Sequence, residues 1–383
     1  MNTNPDRGTF CDDAHSRPTM FARLGRVAFA AALLFTAAGS AATLLLSASP
    51  AAAQTAPAAD PVLRVFAITT DLGDLVRQVG GDRVSVIEMV QGREDAHFAD
   101  ARPSFIKELS RADLLVVVGL ELEVGYVPLL LDNARNARVL PGGPGYLDAS
   151  RAIVPLLDAN IVPGGVVDRS MGDVHASGNP HYLLDPLRAF EVAKLIAAKL
   201  TELRTGDAAY FAGRLEDFRS RMATAMVGAA LAAKYDAFKL AMLAEQGGLA
   251  TFLDKQGDRA ALGGWFGAML PLAGTKVVDD HQMWLYFARR FGLVVVDHLE
   301  PKPGIPPTTA HMKDVIERMK ADQVRVVIAS PYYDPRHAAF VAEATGAKVV
   351  ALAHQTGGRD GTGTYLEMMD YNVRTVAAAL AAN

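Results

Sequence analysis

Cysteine is all but missing from this chain: Cys11 is the only one in 383 residues. No intramolecular disulfide can form, and a zinc site built on several thiolates is excluded. A transition metal bound here must use histidine, carboxylate or amide donors. A strong excess of positive charge is missing too. The formal net charge is -4, which gives no ground for nucleic-acid binding. There is no His-Glu-x-x-His segment, so the two-histidine helix of a zinc protease is absent. Past the N-terminal region, no apolar run is long enough to cross a membrane.

What is present is a globular composition. Apolar residues make up 50% and charged residues 21%, and the length suits two domains with sizeable cores. Near the N-terminus, Arg23 and Arg26 precede an apolar run from Val27 to Leu46 and a flank of small residues containing Ala51 and Ala53. That order reads as a secretory signal peptide over residues 1–53, with Met20 a plausible start. An uncleaved anchor is the other reading of the same run. No cysteine follows the run, so lipid attachment is not expected, and the mature protein is expected to be exported and periplasmic.

Gln54 to Pro61 is an Ala- and Pro-rich leader, after which strands alternate with helices. Strands are expected at Leu63–Ile68, Val84–Val90 and Leu114–Val118, then at Lys276–Val278, Leu293–Val296, Val324–Ala329 and Lys348–Ala353. The fold class is therefore α/β: two lobes with parallel sheets joined by a long rigid linking helix. The expected division is an N-terminal lobe over 54–205, the linking helix over 206–243 and a C-terminal lobe over 244–383. Leu140 to Pro180 reads as loop, and Glu245 to Pro271 as a surface excursion.

The most constrained stretch is Gly178-Asn179-Pro180-His181-Tyr182-Leu183-Leu184-Asp185-Pro186. Proline fixes its own φ and restricts the residue before it, so His181 sits on a stiff connector. Asp185 and Pro186 form an N-cap and first position for the helix that follows. His97 lies in the loop after the second strand, His281 opens a helix after a strand, and His354 directly follows the last strand. Each lies where it can line one cleft at the carboxyl ends of the sheets. Neutral imidazole is a common metal ligand, so His97, His181, His281 and His354 are the candidate set. A solvated loop histidine is the plainer reading of any one alone. His175, His298, His311 and His337 are read as surface or structural residues, and Glu300 as a carboxylate that fixes a loop.

Several motifs together resemble the substrate-binding receptors of bacterial ABC importers for zinc and manganese. They are Asp95-Ala96-His97 with Arg102-Pro103-Ser104, Asn179-Pro180-His181-Tyr182-Leu183-Leu184-Asp185-Pro186, and His281 leading Tyr286-Phe287 and Phe291-Gly292-Leu293. Glu300-Pro301-Lys302-Pro303-Gly304 and Tyr365 to Asn372 extend the match, which covers Leu63 to Leu380. The resemblance implies two lobes around a rigid helix, with metal in the cleft and a membrane permease as partner. It also implies His97, His181 and His281 as ligands, a non-enzymatic role and a monomer.

The fourth ligand departs from the pattern. The family often has an aspartate after the last strand, whereas this chain reads Ala353-His354-Gln355-Thr356. Gln355 is nearest that place, but an amide is a poor zinc donor; the choices are His354, then Asp360, then a water. A set of imidazoles favours Zn(II) as the transported ion, since manganese sites carry more carboxylate oxygen. Binding is expected to weaken below about pH 6 as histidines protonate. The alternatives are a manganese receptor of the same family, or a periplasmic zinc hydrolase using three histidines and an open position.

Overall fold

The computed structural model describes residues 62–155, 175, 177–300 and 306–382. The expected signal peptide and leader, the Pro163-Gly164-Gly165 turn and Pro301 to Gly304 lie outside the described residues. Eight strands among the described residues form two parallel sheets of four. In the first, β1 (Leu63–Thr69), β2 (Val84–Val90), β3 (Leu114–Val117) and β4 (Tyr146–Asp148) take the order β2-β1-β3-β4. Val65 pairs with Val86 on one side and Leu114 on the other. The central strands β1 and β3 are buried along nearly their whole length, which is why they read as continuous apolar runs.

Helices α1 (Thr70–Gly80), α2 (Pro103–Leu109) and α3 (Val127–Ala134) belong to this lobe. Thr69 caps α1, its hydroxyl accepting from the amide of Leu72. β4 falls within Leu140 to Pro180, where the sequence reads as loop. β4 spans three residues between glycines and turns, too short for a period-2 signal.

The chain crosses to the second lobe through α4 (Pro186–Leu203) and α5 (Ala208–Val227), separated by a turn at Thr205–Asp207. Asp185 caps α4 and Pro186 occupies its first turn, as expected. The linking helix ends sooner than residue 243. Gly228 takes a φ of 82°, which cannot continue a right-handed helix. Two further helices follow it, α6 (Ala229–Lys234) and α7 (Ala237–Glu245), the latter capped by Asp236. The 20 residues of α5 span about 30 Å.

Glu245 to Pro271 is not a surface excursion. It forms α8 (Leu249–Gln256) and α9 (Gly264–Met269), and Leu249, Leu253, Trp265, Phe266 and Met269 are buried. The glycines that suggest exposed loop instead permit close packing: a Cβ on Gly264 would lie 2.2 Å from the carbonyl oxygen of Ala225.

The second sheet contains β5 (Lys276–Asp279), β6 (Val294–His298), β7 (Val326–Ala329) and β8 (Lys348–Ala351), in the order β6-β5-β7-β8. Its helices are α10 (Leu285–Phe291), α11 (Thr309–Ala321), α12 (Pro335–Thr345) and α13 (Tyr365–Ala381). One apolar core runs through both lobes, from Val65 and Ile68 through Tyr182, Phe218 and Trp284 to Tyr365 and Met368. A shared close-packed core resists hinge motion between the sheets. A smaller cluster around Val278, Leu299, Val315 and Val327 belongs to the second sheet. Among the described residues no helix is long and apolar enough to cross a membrane.

Candidate metal centre

The four candidate histidines arrive from both sheets. His97 lies in a single 3-10 turn, Ala96–Phe98, after β2. His181 stands at the end of the proline connector, just before the turn Tyr182–Leu184. His281 follows β5 in extended conformation and precedes the turn Gln282–Trp284, so α10 begins at Leu285 rather than at His281. His354 follows β8. All four are buried, with exposures of 3%, 5%, 1% and 9% in that order.

Two of them are held by the same local device. Asp95 accepts from the backbone amide of His97 at 3.0 Å and meets its Nδ1 at 2.6 Å. Asn179 does the same for His181, at 2.9 Å from the amide and 2.8 Å from Nδ1. In each case the acceptor lies two residues before the histidine, so an Asx-x-His pattern encodes it. An Nδ1–H donated to oxygen leaves the lone pair on Nε2 and orients the ring, which is the outer support that metal-binding histidines need. Asn179 also ties this connector to the second lobe: its amide donates to the carbonyl of Gln282 at 2.8 Å, and the Tyr286 hydroxyl donates to its carbonyl at 2.9 Å.

A fifth imidazole joins the group: His175 is not at the surface, the first of the two readings given to it, but is bonded within the fold. His175 is buried and its Nδ1 lies 2.8 Å from the carbonyl oxygen of Leu120. Leu120 holds a φ of 53°, a costly conformation for leucine that turns this carbonyl. Ring centres lie 5.2 Å apart for His97 and His181, 5.5 Å for His97 and His175, and 5.1 Å for His181 and His354. His281 lies 6.0 Å from His181 and 6.4 Å from His97. Imidazoles around a tetrahedral zinc at ordinary bond length would have ring centres about 5 Å apart. Among the described residues no three His, Cys, Asp or Glu side chains yet form a closed metal-binding array. The three shortest ring spacings, 5.1 to 5.5 Å, are nevertheless close to that value.

The remaining polar candidates separate clearly. Asp360, the second choice for the fourth ligand, is fully exposed and paired with Arg93 at 2.6 Å. His298 pairs with Asp279, and His311 Nε2 lies 2.8 Å from the carbonyl oxygen of His298, so both are structural. Glu300 is buried, with its amide donating to the carbonyl of Asp280 at 2.9 Å.

His97, His181 and His354 face a cavity of about 30 Å³ lined also by Asp71, Tyr332 and Gln355, among others. That is room for a water or two, or for a single ion. Burial, with the neighbouring imidazoles adding to it, holds His181 well below its ordinary range. Burial brings His354 down to about 3. Burial also pushes the Asp71 carboxyl up to about 7. Both histidines are thus neutral at neutral pH, the form that binds metal. Proton competition for these two rings begins at lower pH than the value near 6 expected from exposed histidine.

His354 carries a stability consequence. The unfolded chain protonates this ring near 6.5, the folded chain near 3, so between those values the unfolded chain binds more protons. His354 therefore withdraws stability as the pH falls from 6.5 toward 3, by up to about 1.4 kcal/mol per unit. Asp71 acts oppositely, its contribution being lost as the pH climbs from about 4 to 7. A His354→Leu variant should consequently lose less melting temperature than wild type between pH 7 and 5 without metal. Parallel losses in the two proteins would show that the ring is not held neutral.

The family model described as "Zinc-uptake complex component A periplasmic" matches residues 65–234 and 261–379. The chain belongs to that family. The zinc-uptake component A match spans both sheets and all five clustered histidines, and it leaves out 235–260, where α7 and α8 lie. The manganese ABC transporter substrate-binding lipoprotein PsaA of Streptococcus anginosus is 19% identical, covering 83% of this chain and 89% of its own. The metal ABC transporter substrate-binding lipoprotein SsaB of Streptococcus sanguinis is 20% identical over the same shares. A crystal structure of ZnuA has the same fold, with a TM-score of 0.61 and 19% identity over 83% of this chain and 99% of that one. So does a cadmium-bound periplasmic metal-binding protein from Candidatus Liberibacter asiaticus, with a TM-score of 0.58 and 17% identity over 83% and 99%.

Proposed function

We propose that the protein captures Zn(II) outside the cytoplasm and delivers it to the membrane permease of an ABC importer. His97, His181, His281 and His354 serve as ligands in this reading, and the protein acts as a monomer. The observation that carries it is the convergence of three buried imidazoles, those of His97, His181 and His354, on a cavity sized for one ion, with His281 beside them 6.0 Å from the His181 ring. Family membership supports metal import as the process. The relatives named as manganese receptors favour the extracytoplasmic side, since they are named lipoproteins of ABC transporters. Here the sole cysteine precedes the apolar run, so export through a cleaved leader fits better than a lipid anchor.

Zinc is preferred over manganese because the cluster is imidazole, with Asp95 supporting a ring from behind. Calorimetric titration should give one zinc per chain and manganese weaker by at least about 100-fold. Manganese binding as tight as zinc would move the assignment to a manganese receptor. The zinc hydrolase reading finds less support, since the matching family model is described as a zinc-uptake component.

A further inference from the structure

Asp71 stands in the first turn of α1, in the first lobe, and is 3% exposed. It lines the same cavity as His97, His181 and His354. Its Oδ1 accepts from the amide of Thr356 at 2.7 Å, and beside it the Thr70 hydroxyl donates to the Thr356 carbonyl at 2.8 Å. The start of α1 thus grips the loop after β8. That grip needs only an acceptor at residue 71, which an asparagine would supply as well. The negative charge is what the hydrogen bond leaves unexplained.

The charged groups that bear on Asp71 are Asp74 on α1 and Glu88 on β2, both carboxylates. Arg77, on the same helix, is paired with Glu88. Asp74 accepts from the amide of Tyr365 at 2.9 Å. A carboxylate in a first turn gains from the positive end of its helix, but less than burial costs it. Burial is the largest influence on Asp71 and lifts its carboxyl to about 7. A dication in the cavity reverses that balance. Neutral imidazoles bring no negative charge to a buried ion, whereas this carboxyl can.

We propose that Asp71 is the carboxylate that balances the charge of the captured ion, from the first-lobe wall of the cavity. This rests on the receptor reading above and adds to it a residue that sets the charge of the site. The imidazoles hold the ion, and Asp71 ionises as the ion enters, its proton passing to solvent. Capture is thereby coupled to release of a proton from a group that is not a histidine.

The test titrates Zn(II) into wild type and Asp71→Asn at pH 6 by calorimetry, in buffers of different ionisation enthalpy, so that released protons are counted. Asparagine keeps the acceptor for the Thr356 amide and removes only the charge. Asp71→Asn should bind zinc about 10- to 100-fold more weakly and release about one proton fewer per zinc. Without metal it should melt no lower than wild type at pH 8, where the wild-type carboxylate is ionised in its buried place. Unchanged zinc affinity, or unchanged proton release, would overturn the charge-balancing role and leave the receptor reading standing. A metal-free Asp71→Asn protein that melts lower than wild type would make Asp71 an anchor for the loop, and would overturn that role too. Absence of zinc binding by the wild-type chain would remove both readings.

Discussion

Replacing His181 with alanine should lower zinc affinity by more than about 100-fold, the largest functional loss expected from any single change here. The reason is its position. Its ring lies within 5.1 to 6.2 Å of the rings of His97, His175, His281 and His354, so removing it takes away the member that touches all the others. Its Nε2 is buried with no hydrogen-bond partner among the described residues, while Nδ1 is committed to Asn179. The measurement is a chelator-competition titration of the His181→Ala protein beside wild type, His354→Ala and His298→Ala. His354→Ala should cost less, because its ring stands at the edge of the group beside His181, whereas His181 is flanked by four rings. His298→Ala should leave affinity unchanged, since that ring is paired with Asp279. Saturating zinc should raise the melting temperature of wild type, by about 4 kcal/mol of added stability at 1,000 times the dissociation constant, and not that of His181→Ala. Zinc binding indifferent to His181 would sink the receptor reading.

The second large effect is on stability. Arg290 on α10 reaches across to Asp185, the cap of α4, with Nε 2.8 Å from Oδ1 and Nη2 2.9 Å from Oδ2. The same guanidinium donates to the carbonyl of Ala241 at 3.0 Å and meets Glu245 at 2.9 Å. Both Arg290 and Asp185 side chains are almost fully removed from solvent. Replacing Arg290 with methionine keeps much of the volume but leaves the buried Asp185 carboxylate to Arg188 and the Leu187 amide, which costs about 3 kcal/mol. In a chain of this size each kcal/mol shifts the melting point by about 2–4 °C, so a fall of roughly 10 °C is expected. Adding Asp185→Asn should recover part of it, since the under-compensated buried charge is then gone. A loss under about 1 kcal/mol would place this pair with ordinary surface ion pairs. The fall should come with weaker zinc binding, because Asp185 closes the connector that carries His181.

Much of this was legible in the chain because it is local. Continuous apolar runs bounded by turns marked the central strands, and their alternation with helices implied parallel sheets with loops gathered at the carboxyl ends. Thr69, Asp185 and Pro186 announced helix starts through contacts no more than three residues away. The Asp95-x-His97 and Asn179-x-His181 pairs are equally local, and the pattern of an acceptor two residues before a histidine was there to be read. What misled was composition. Gly228 sits in a helical pattern and ends it, while the glycines of 247–274 suggest loop where α8 and α9 pack into the core.

The order of residues thus determined the α/β class, the stiff connector at His181 and the loops on which four of the clustered histidines stand. Only the tertiary structure decided that His175 joins them, that Asp360 does not, and that Asp71 lines the cavity beside three of them. Those outcomes depend on contacts between residues far apart in sequence, such as Thr356 with Asp71, Gln355 with Glu94 and Arg290 with Asp185. A side chain's partner over such distances is set by how two sheets pack on one core, and no spacing along the chain encodes it.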